Sequence, residues 1–399
     1  MKNSLVTAIL VMLLAVMMVL SACSTREAMG QHPEKDPEII RMETKPVISK
    51  KNYLMEDTVS YDYIEMQNEQ LYVLGSDTLR EDIRTITFLN SMNQAPSGYL
   101  MDVSRDGNES VVAWLQRDAG SDLYDLYIAA NGDIVAAENC RGMFAGYTSL
   151  EELKFSDCFD TSCTTDMTAM FMNCSSLDML DLSCFDTSNV VDMTSMFQSV
   201  SWAKKLNIRS FDTGKVRSMR HMFSCMGSLE ELDVRHFNTS DVSDMGAMFE
   251  YCSLLKELDL SSFDTSGVYS MDAMFYRCMS LKTVNVGSFD TSDVVDMSSM
   301  FAGCSNLQEL DVSHFDTYSV NYMSGMFEMC SSLKELDLSN FETLNVMDMM
   351  CMFRYCEKMQ YLDIRNFAFN WWDETDLPGD LFMGIPESAT IKLPQGYSR

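Results

Sequence analysis

Phenylalanine returns every 26 residues along more than half of this chain, at Phe159, Phe185, Phe211, Phe237, Phe263, Phe289, Phe315, Phe341 and Phe367. A second series, Phe171, Phe197, Phe223, Phe249, Phe275, Phe301, Phe327 and Phe353, keeps the same 26-residue step, and no insertion or deletion interrupts either. A fixed period of this length marks repeating supersecondary units that bury their apolar faces against one another. Each period offers about eight large apolar side chains, on the order of 12–24 kcal/mol of gross burial. Ordering the period's 26 residues costs at least as much, at about 1–2 kcal/mol each. No unit folds alone, and stacking has to supply the difference.

The period Leu258–Thr283, "LDLSSFDTSGVYSMDAMFYRCMSLKT", carries two patterns. Leu258 and Leu260 flank Asp259 with the alternation of a short strand that has one buried face. Val268, Met271, Met274, Phe275 and Cys278 follow at helical spacing, which predicts a short helix. Thr265 or Ser266 stands where a hydroxyl would cap that helix, and Asp272 lies early within it. Strand, crossover helix and parallel strand would connect with right-handed sense. The expected fold is therefore α/β, a right-handed β/α solenoid of the leucine-rich-repeat type with a small β-rich N-terminal cap. At about 4.8 Å per strand, nine or ten such units would extend roughly 45 Å.

The recurring run LDxSxFDTSxVxDMxxMFxxCxxLxxL resembles the 26-residue leucine-rich repeat of BspA-like bacterial surface proteins. It reads "FDTSNVVDMTSMF" after Leu180, "FDTSGVYSMDAMF" after Leu258 and "FDTYSVNYMSGMF" after Leu310. The resemblance implies a β/α solenoid displayed on the cell surface, adhesion or host-protein binding, and no shared catalytic residue.

Before the repeats, residues 1–22 hold Lys2 and an apolar run from Leu5 to Leu20, the pattern of an export signal. Leu20-Ser21-Ala22-Cys23 resembles a lipoprotein processing site, which implies lipidation of Cys23 and a membrane anchor; a plain signal peptide or an uncleaved anchor is the alternative. Residues 23–66, with Pro33, Pro37 and Pro46 among many charges, have the composition of a flexible tether. Residues 67–140 form the expected cap. Ile83–Leu89 and Ser110–Arg117 are predicted strands, Asp125–Glu138 a hairpin turning at Asn131-Gly132, and Trp114 a core residue. The repeats occupy 141–367, with one extra residue at the first junction. Residues 368–399 form an irregular last unit in which Leu381-Phe382 is displaced by three positions and Trp371 and Trp372 help to seal the end.

A net charge of −30 excludes nucleic acid as a partner, since phosphate recognition needs clustered Lys and Arg. Sixteen of the 36 methionines sit in pairs on the apolar stripe, Met193 and Met196 among them, and read as core filler. Cys174, Cys252, Cys278, Cys304, Cys330 and Cys356 share one column, filled elsewhere by Val200 and Met226, so buried thiols are expected there. Disulfides between stacked units, or a metal ladder, are the alternatives. His236 and His314 share a column three units apart, about 14 Å by strand spacing, too far to act together. No nucleophile–base pair or phosphate loop is present; we expect neither an enzyme nor a cofactor.

The strand face holds the candidate ligand-binding residues Glu231, Asp233, Arg235, Glu257, Asp259, Glu309, Asp311, Glu335, Asp337, Tyr361, Asp363 and Arg365. The Asp and Asn column from Asp181 to Asp363 is expected to face away from the core. Carboxylates about 5 Å apart repel by roughly 1 kcal/mol in water and about 3 kcal/mol at an effective dielectric of 20. Hydrogen-bond donors, arginines, water or a cation such as Ca²⁺ must relieve that. The function expected is a lipid-anchored surface module that binds an extracellular protein or glycan; a structural spacer of the envelope with no specific ligand is the alternative.

Overall fold

A computed structural model of the chain describes residues 51–57, 71–73, 76–155, 159–369 and 380–398. The export signal, Cys23, most of the tether, and Trp371 and Trp372 lie outside the described residues.

The N-terminal unit is built from β1 (Asn52–Tyr53), β2 (Ile83–Leu89), β3 (Met101–Asp102), β4 (Val111–Arg117), β5 (Tyr124–Ala130) and β6 (Ile134–Val135). β2 and β4 fall where β-branched and aromatic residues predict them. The expected hairpin at Asn131-Gly132 does not form. β5 pairs antiparallel with β4, while β6 leaves for a different sheet, parallel to β1 and to β8 (Phe159–Asp160). Trp114 is buried and stacks on Tyr127 at 5.2 Å.

β7 (Glu152–Lys154) joins the sheet β3-β4-β5-β2-β7 by pairing parallel to β2, so the N-terminal unit covers the edge of the first repeat. Phe88 of β2 lies 6.1 Å edge-on to Phe144 and 4.7 Å from Phe159, which merges the two cores. Arg80, 1% exposed, crosses the same junction. Its guanidinium donates to the carbonyls of Gly142 (2.9 Å) and Ala145 (2.7 Å) and pairs with Asp57 at 2.8 Å.

Along the repeats the strands are three residues long: β9 (Met179–Asp181), β10 (Lys205–Asn207), β11 (Glu257–Asp259), β12 (Thr283–Asn285), β13 (Glu335–Asp337), β14 (Tyr361–Asp363) and β15 (Thr390–Lys392). They pair in parallel in three separate sheets, β9-β10, β11-β12 and β13-β14-β15. Residues 231–233 and 309–311, which occupy the same place in their units, form no strand.

No crossover helix exists in any described period. The helical segments among the described residues are two single 3-10 turns, Arg80–Asp82 and Met92–Gln94, both outside the repeats. With no helices and only small separate sheets, the expected α/β solenoid of the leucine-rich-repeat type is not what this chain forms. The stretch Asp244–Cys252 shows what replaces the helix. Met248, Glu250 and Cys252 donate to the carbonyls three residues earlier, at 3.1–3.2 Å, closing successive turns. Met245, Ala247, Phe249 and Tyr251 donate instead to Ser270, Asp272, Met274 and Tyr276 of the next unit, at 2.7–3.1 Å. The alternation requires a left-handed residue every fourth position: Ala247 has φ 52° and Tyr251 φ 57°, and Ala273 and Arg277 repeat the pair in the next unit. A single left-handed residue ends an α-helix.

The packing step explains the choice. Phe144, Phe171, Phe197 and the later members of that series, ending at Phe382, stack nearly parallel at centroid spacings of 5.3–6.2 Å. Packed helices need about 8–10 Å between axes. Units advancing by less than 7 Å on this side have room for turns but not for helices, and a parallel column of bridges, Asp166↔Asp192↔Ser218↔Asp244 onward to Asp348, runs beside the rings.

Thr265 is not a helix cap either. Eight threonines, Thr161, Thr187, Thr213, Thr239, Thr265, Thr291, Thr317 and Thr343, each donate a hydroxyl to the carbonyl of the residue 25 positions on, at 2.8–3.0 Å. At Thr161, Thr187, Thr213, Thr239, Thr317 and Thr343 the same oxygen also accepts that residue's N–H, at 2.7–2.9 Å. Six of the eight threonines thus fasten both backbone groups of one residue in the next unit, and Thr265 and Thr291 fasten the carbonyl.

Candidate functional site

The strand face begins with backbone chemistry. From Asp181 to Asp363 this strand position is Asp or Asn, and in seven units its side chain accepts the N–H of the residue two on: Asp181 from Ser183, Asp233 from Arg235, Asp259 from Ser261, Asn285 from Gly287, Asp311 from Ser313, Asp337 from Ser339 and Asp363 from Arg365, at 2.9–3.3 Å; Asn207 instead donates its amide to Asp181 at 2.8 Å. One oxygen of each of these seven side chains is committed to turning the chain. That turn accounts for the alternation of Asp with Asn in the column, because either carbonyl oxygen serves.

The charges on this face are relieved in three ways. The Ser261 and Ser313 bonds hold the Asp259 and Asp311 carboxyls below the ordinary aspartate range. Arg235 chelates Asp233 with two contacts of 2.9 Å and holds it far below that range, and Lys205 reaches Glu231 at 3.1 Å. Thr283 and Asn285 place a neutral unit between the acidic pairs Glu257/Asp259 and Glu309/Asp311. Glu257, Glu309 and Glu335 are exposed and form no ion pair among the described residues.

Asp363 departs from the expected outward orientation: it is buried. Arg365 chelates it, Tyr361 donates its hydroxyl at 2.9 Å, and Lys392 of the last unit lies 3.3 Å away. The Arg365 guanidinium holds its carboxyl far below the usual range despite burial. Lys392 covers this end because β15 pairs with β14, a 29-residue step that follows from the displaced Phe382. Tyr361, Asp363 and Arg365 therefore form a closed cluster rather than an open surface.

Among the candidates, Glu231, Asp233, Arg235, Glu257 and Asp259 come together. They line an open concavity of about 840 Å³ that spans four units from Lys205 to Asn285. Leu206, Leu232 and Val284 are partly exposed in its floor, and it lies over the break in strand pairing at residues 231–233. Lys205 and Arg209 also line it. Arg209 forms no ion pair among the described residues and was legible as the residue two after the Asn207 position. Glu309, Asp311, Glu335 and Asp337 lie beyond the concavity, farther along the stack.

The remaining columns are structural. The thiols of Cys252, Cys278, Cys304 and Cys330 donate to the carbonyls of Phe223, Phe249, Phe275 and Phe301 at 3.1–3.2 Å. They are free and buried, and burial pushes Cys278 up to about 12. No disulfide joins the cysteines of this column. His236 and His314 donate through Nε2 to Ile208 and Val286 carbonyls at 3.0 Å. No group of three or more His, Cys, Asp or Glu suited to a metal ion occurs among the described residues.

One charged cluster escaped sequence reading. Arg220 reaches over Gly246 to Asp272 in the second unit on, with bonds of 2.7 and 2.9 Å, and touches Asp244 at 3.3 Å. A Cβ on Gly246 would stand 1.9 Å from the guanidinium. No local pattern announces a contact 52 residues away.

No curated protein matches the chain. The family model described as "Mycoplasma protein of unknown function, DUF285" matches it three times in succession, over residues 129–207, 200–285 and 279–375, a span that begins in β5 and runs through the repeats. The chain belongs to that family of repeat proteins.

Proposed function

We propose that this chain is a surface-displayed, lipid-anchored binding protein whose strand face engages an extracellular protein or glycan. One observation supports the reading above others: the open concavity from Lys205 to Asn285, where the side chains change from unit to unit along the strand face. Lys205-Asn207-Arg209, Glu231-Asp233-Arg235, Glu257-Asp259-Ser261 and Thr283-Asn285-Gly287 present different chemistry at each step. Turn formation accounts for most of the Asp and Asn positions and Lys205 pairs with Glu231, but Glu257 and Arg209 form no ion pair among the described residues. Such a surface suits an elongated partner that reads several units at once. Adhesion is the role this implies, with Cys23 as the anchor.

The test has two arms. Cys23→Ala should abolish incorporation of labelled fatty acid; wild-type incorporation would remove the anchor. Binding to immobilised matrix proteins and to a glycan panel should be lost when Arg209, Glu231 and Glu257 are changed together to Gln. Retained binding in that variant, with loss in a variant of β4 or β5 surface residues, would move the site to the N-terminal unit.

A further inference from the structure

A second surface lies on the flank that carries the bridge column, with none of its residues in the lining of the concavity. There Tyr318 (62% exposed), Leu344 (60%), Met347 (62%), Met350 (49%) and Tyr322 (42%) stand in two consecutive units. Their backbones place them side by side: Met347 N–H donates to the Asn321 carbonyl at 2.8 Å, Asn345 reaches the Tyr318 carbonyl at 2.7 Å, and Tyr322 bridges Asp348. At roughly 200 Å² per large side chain, the exposed portions sum to about 500 Å², near the upper end for the largest apolar patch on a monomer.

The repeat is its own control. The column of Tyr318 and Leu344 holds Ser188, Gly214, Ser240, Ser266 and Ser292 in the earlier units. The column of Tyr322 holds Asp or Ser in every other unit from Asp166 to Asp348, and that of Met350 ends in Ser298 and Ser324. The stack forms with polar residues at these three places, so packing does not explain the change to apolar ones there; the Met347 column is mixed, with Ser243 and Asn321 beside Val191, Tyr269 and Val295. Charge then says what fits. No Lys or Arg occurs from residue 283 to residue 333, and the exposed carboxylates Asp293, Asp316 and Glu342 border the patch without an ion pair among the described residues. Two copies of a chain of charge −30 would bring acidic rims together.

We infer that this flank docks a cationic amphipathic polypeptide segment, its apolar side chains against Leu344, Met347 and Tyr318 and its Lys or Arg against the carboxylate rim. A fluorescein-labelled amphipathic peptide of leucine and lysine, and its counterpart with glutamate for lysine, probe this on the full chain. Near-physiological salt, with a Debye length of about 8 Å, suppresses general attraction to the acidic protein. The lysine peptide should bind saturably and the glutamate peptide should not. The variant Tyr318→Ser, Leu344→Ser, Met347→Asn, Met350→Ser carries residues that other units tolerate at the same columns. It should melt as wild type and bind at least about tenfold more weakly, the scale of losing one or two apolar anchors. Asp293→Asn with Glu342→Gln should weaken binding without touching an apolar side chain, and Arg209→Gln with Glu257→Gln should not. Equal binding by the four-residue variant, or by the glutamate peptide, overturns the inference. So does patch-dependent dimerisation in sedimentation, which would make the flank a contact between copies.

Discussion

Thr239→Val is the sharpest probe of what joins one unit to the next. The substitution keeps the shape and removes the hydroxyl that donates to the Asp264 carbonyl at 2.8 Å and accepts the Asp264 N–H at 2.9 Å. Thr239 is 1% exposed, so water does not readily replace it. Two backbone groups lose their partner, at about 1–3 kcal/mol each when buried. Because Asp264 itself is exposed, we take the lower part of that range and expect a loss of about 2–4 kcal/mol in total. A hydroxyl serving as a helix cap would be worth about 1 kcal/mol and would act on its own unit. Denaturant unfolding gives the size of the effect, with Thr239→Ser, which keeps the oxygen, expected within about 1 kcal/mol of wild type. Amide exchange gives its location: the Asp264 N–H should exchange about 30-fold faster, the equivalent of 2 kcal/mol. If Thr239→Val costs no more than Ser240→Ala, or if Asp264 keeps its protection, the inter-unit fastening is wrong.

Gly246→Ala should push Arg220 off Asp272 and cost about 2–3 kcal/mol, the worth of charge-assisted bonds in a half-buried setting; a cycle with Arg220→Ala should show the two losses to be far from additive, and independent losses would refute the clamp. Arg80→Ala strands Asp57 and two carbonyls at the junction of the N-terminal unit with the repeats, and should cost about 3–5 kcal/mol by thermal or denaturant unfolding; a change under about 1 kcal/mol would mean that the phenylalanine contacts alone hold the junction. Acid should destabilise the chain. Asp181, Asp259, Asp264, Asp290 and Asp311 have carboxyls lowered by the serines two residues on. Their contribution is present above the unfolded value of about 3.9 and is lost as pH falls through the lower folded values. Relief of self-repulsion on protonation works the other way, but those charges are exposed and screened at physiological salt. A denaturation midpoint followed from about pH 6 downward should fall below about pH 4; a steady rise would show that repulsion dominates.

A single residue series was enough to read the period, its register, and most of what is buried. The Phe series, the methionine stripe and the thiols of the Cys174 column are buried because each recurs where its unit must be apolar, and recurrence is visible without coordinates. β2 and β4 were legible for a local reason, runs of β-branched and aromatic residues. The candidate strand face was legible as the columns whose residues vary, although Asp363 was misread because Lys392, arriving on an irregular 29-residue step, closes over it.

The helix was misread because the spacing of Val268, Met271, Met274, Phe275 and Cys278 is produced equally by an α-helix and by a chain that turns every few residues. Periodicity records which side chains face inward, not where the N–H groups point. That was decided by the step between units: rings stacked at 5.3–6.2 Å leave no width for helices, so alternate amides turn outward to the neighbouring unit and left-handed residues follow. The threonine bonds, the Arg80 junction and the Arg220 clamp belong to the same class. Each joins residues 25 or more positions apart, and such partners exist only once the units are stacked. The concavity is of that kind too, since no residue in it marks that strand pairing will break at residues 231–233.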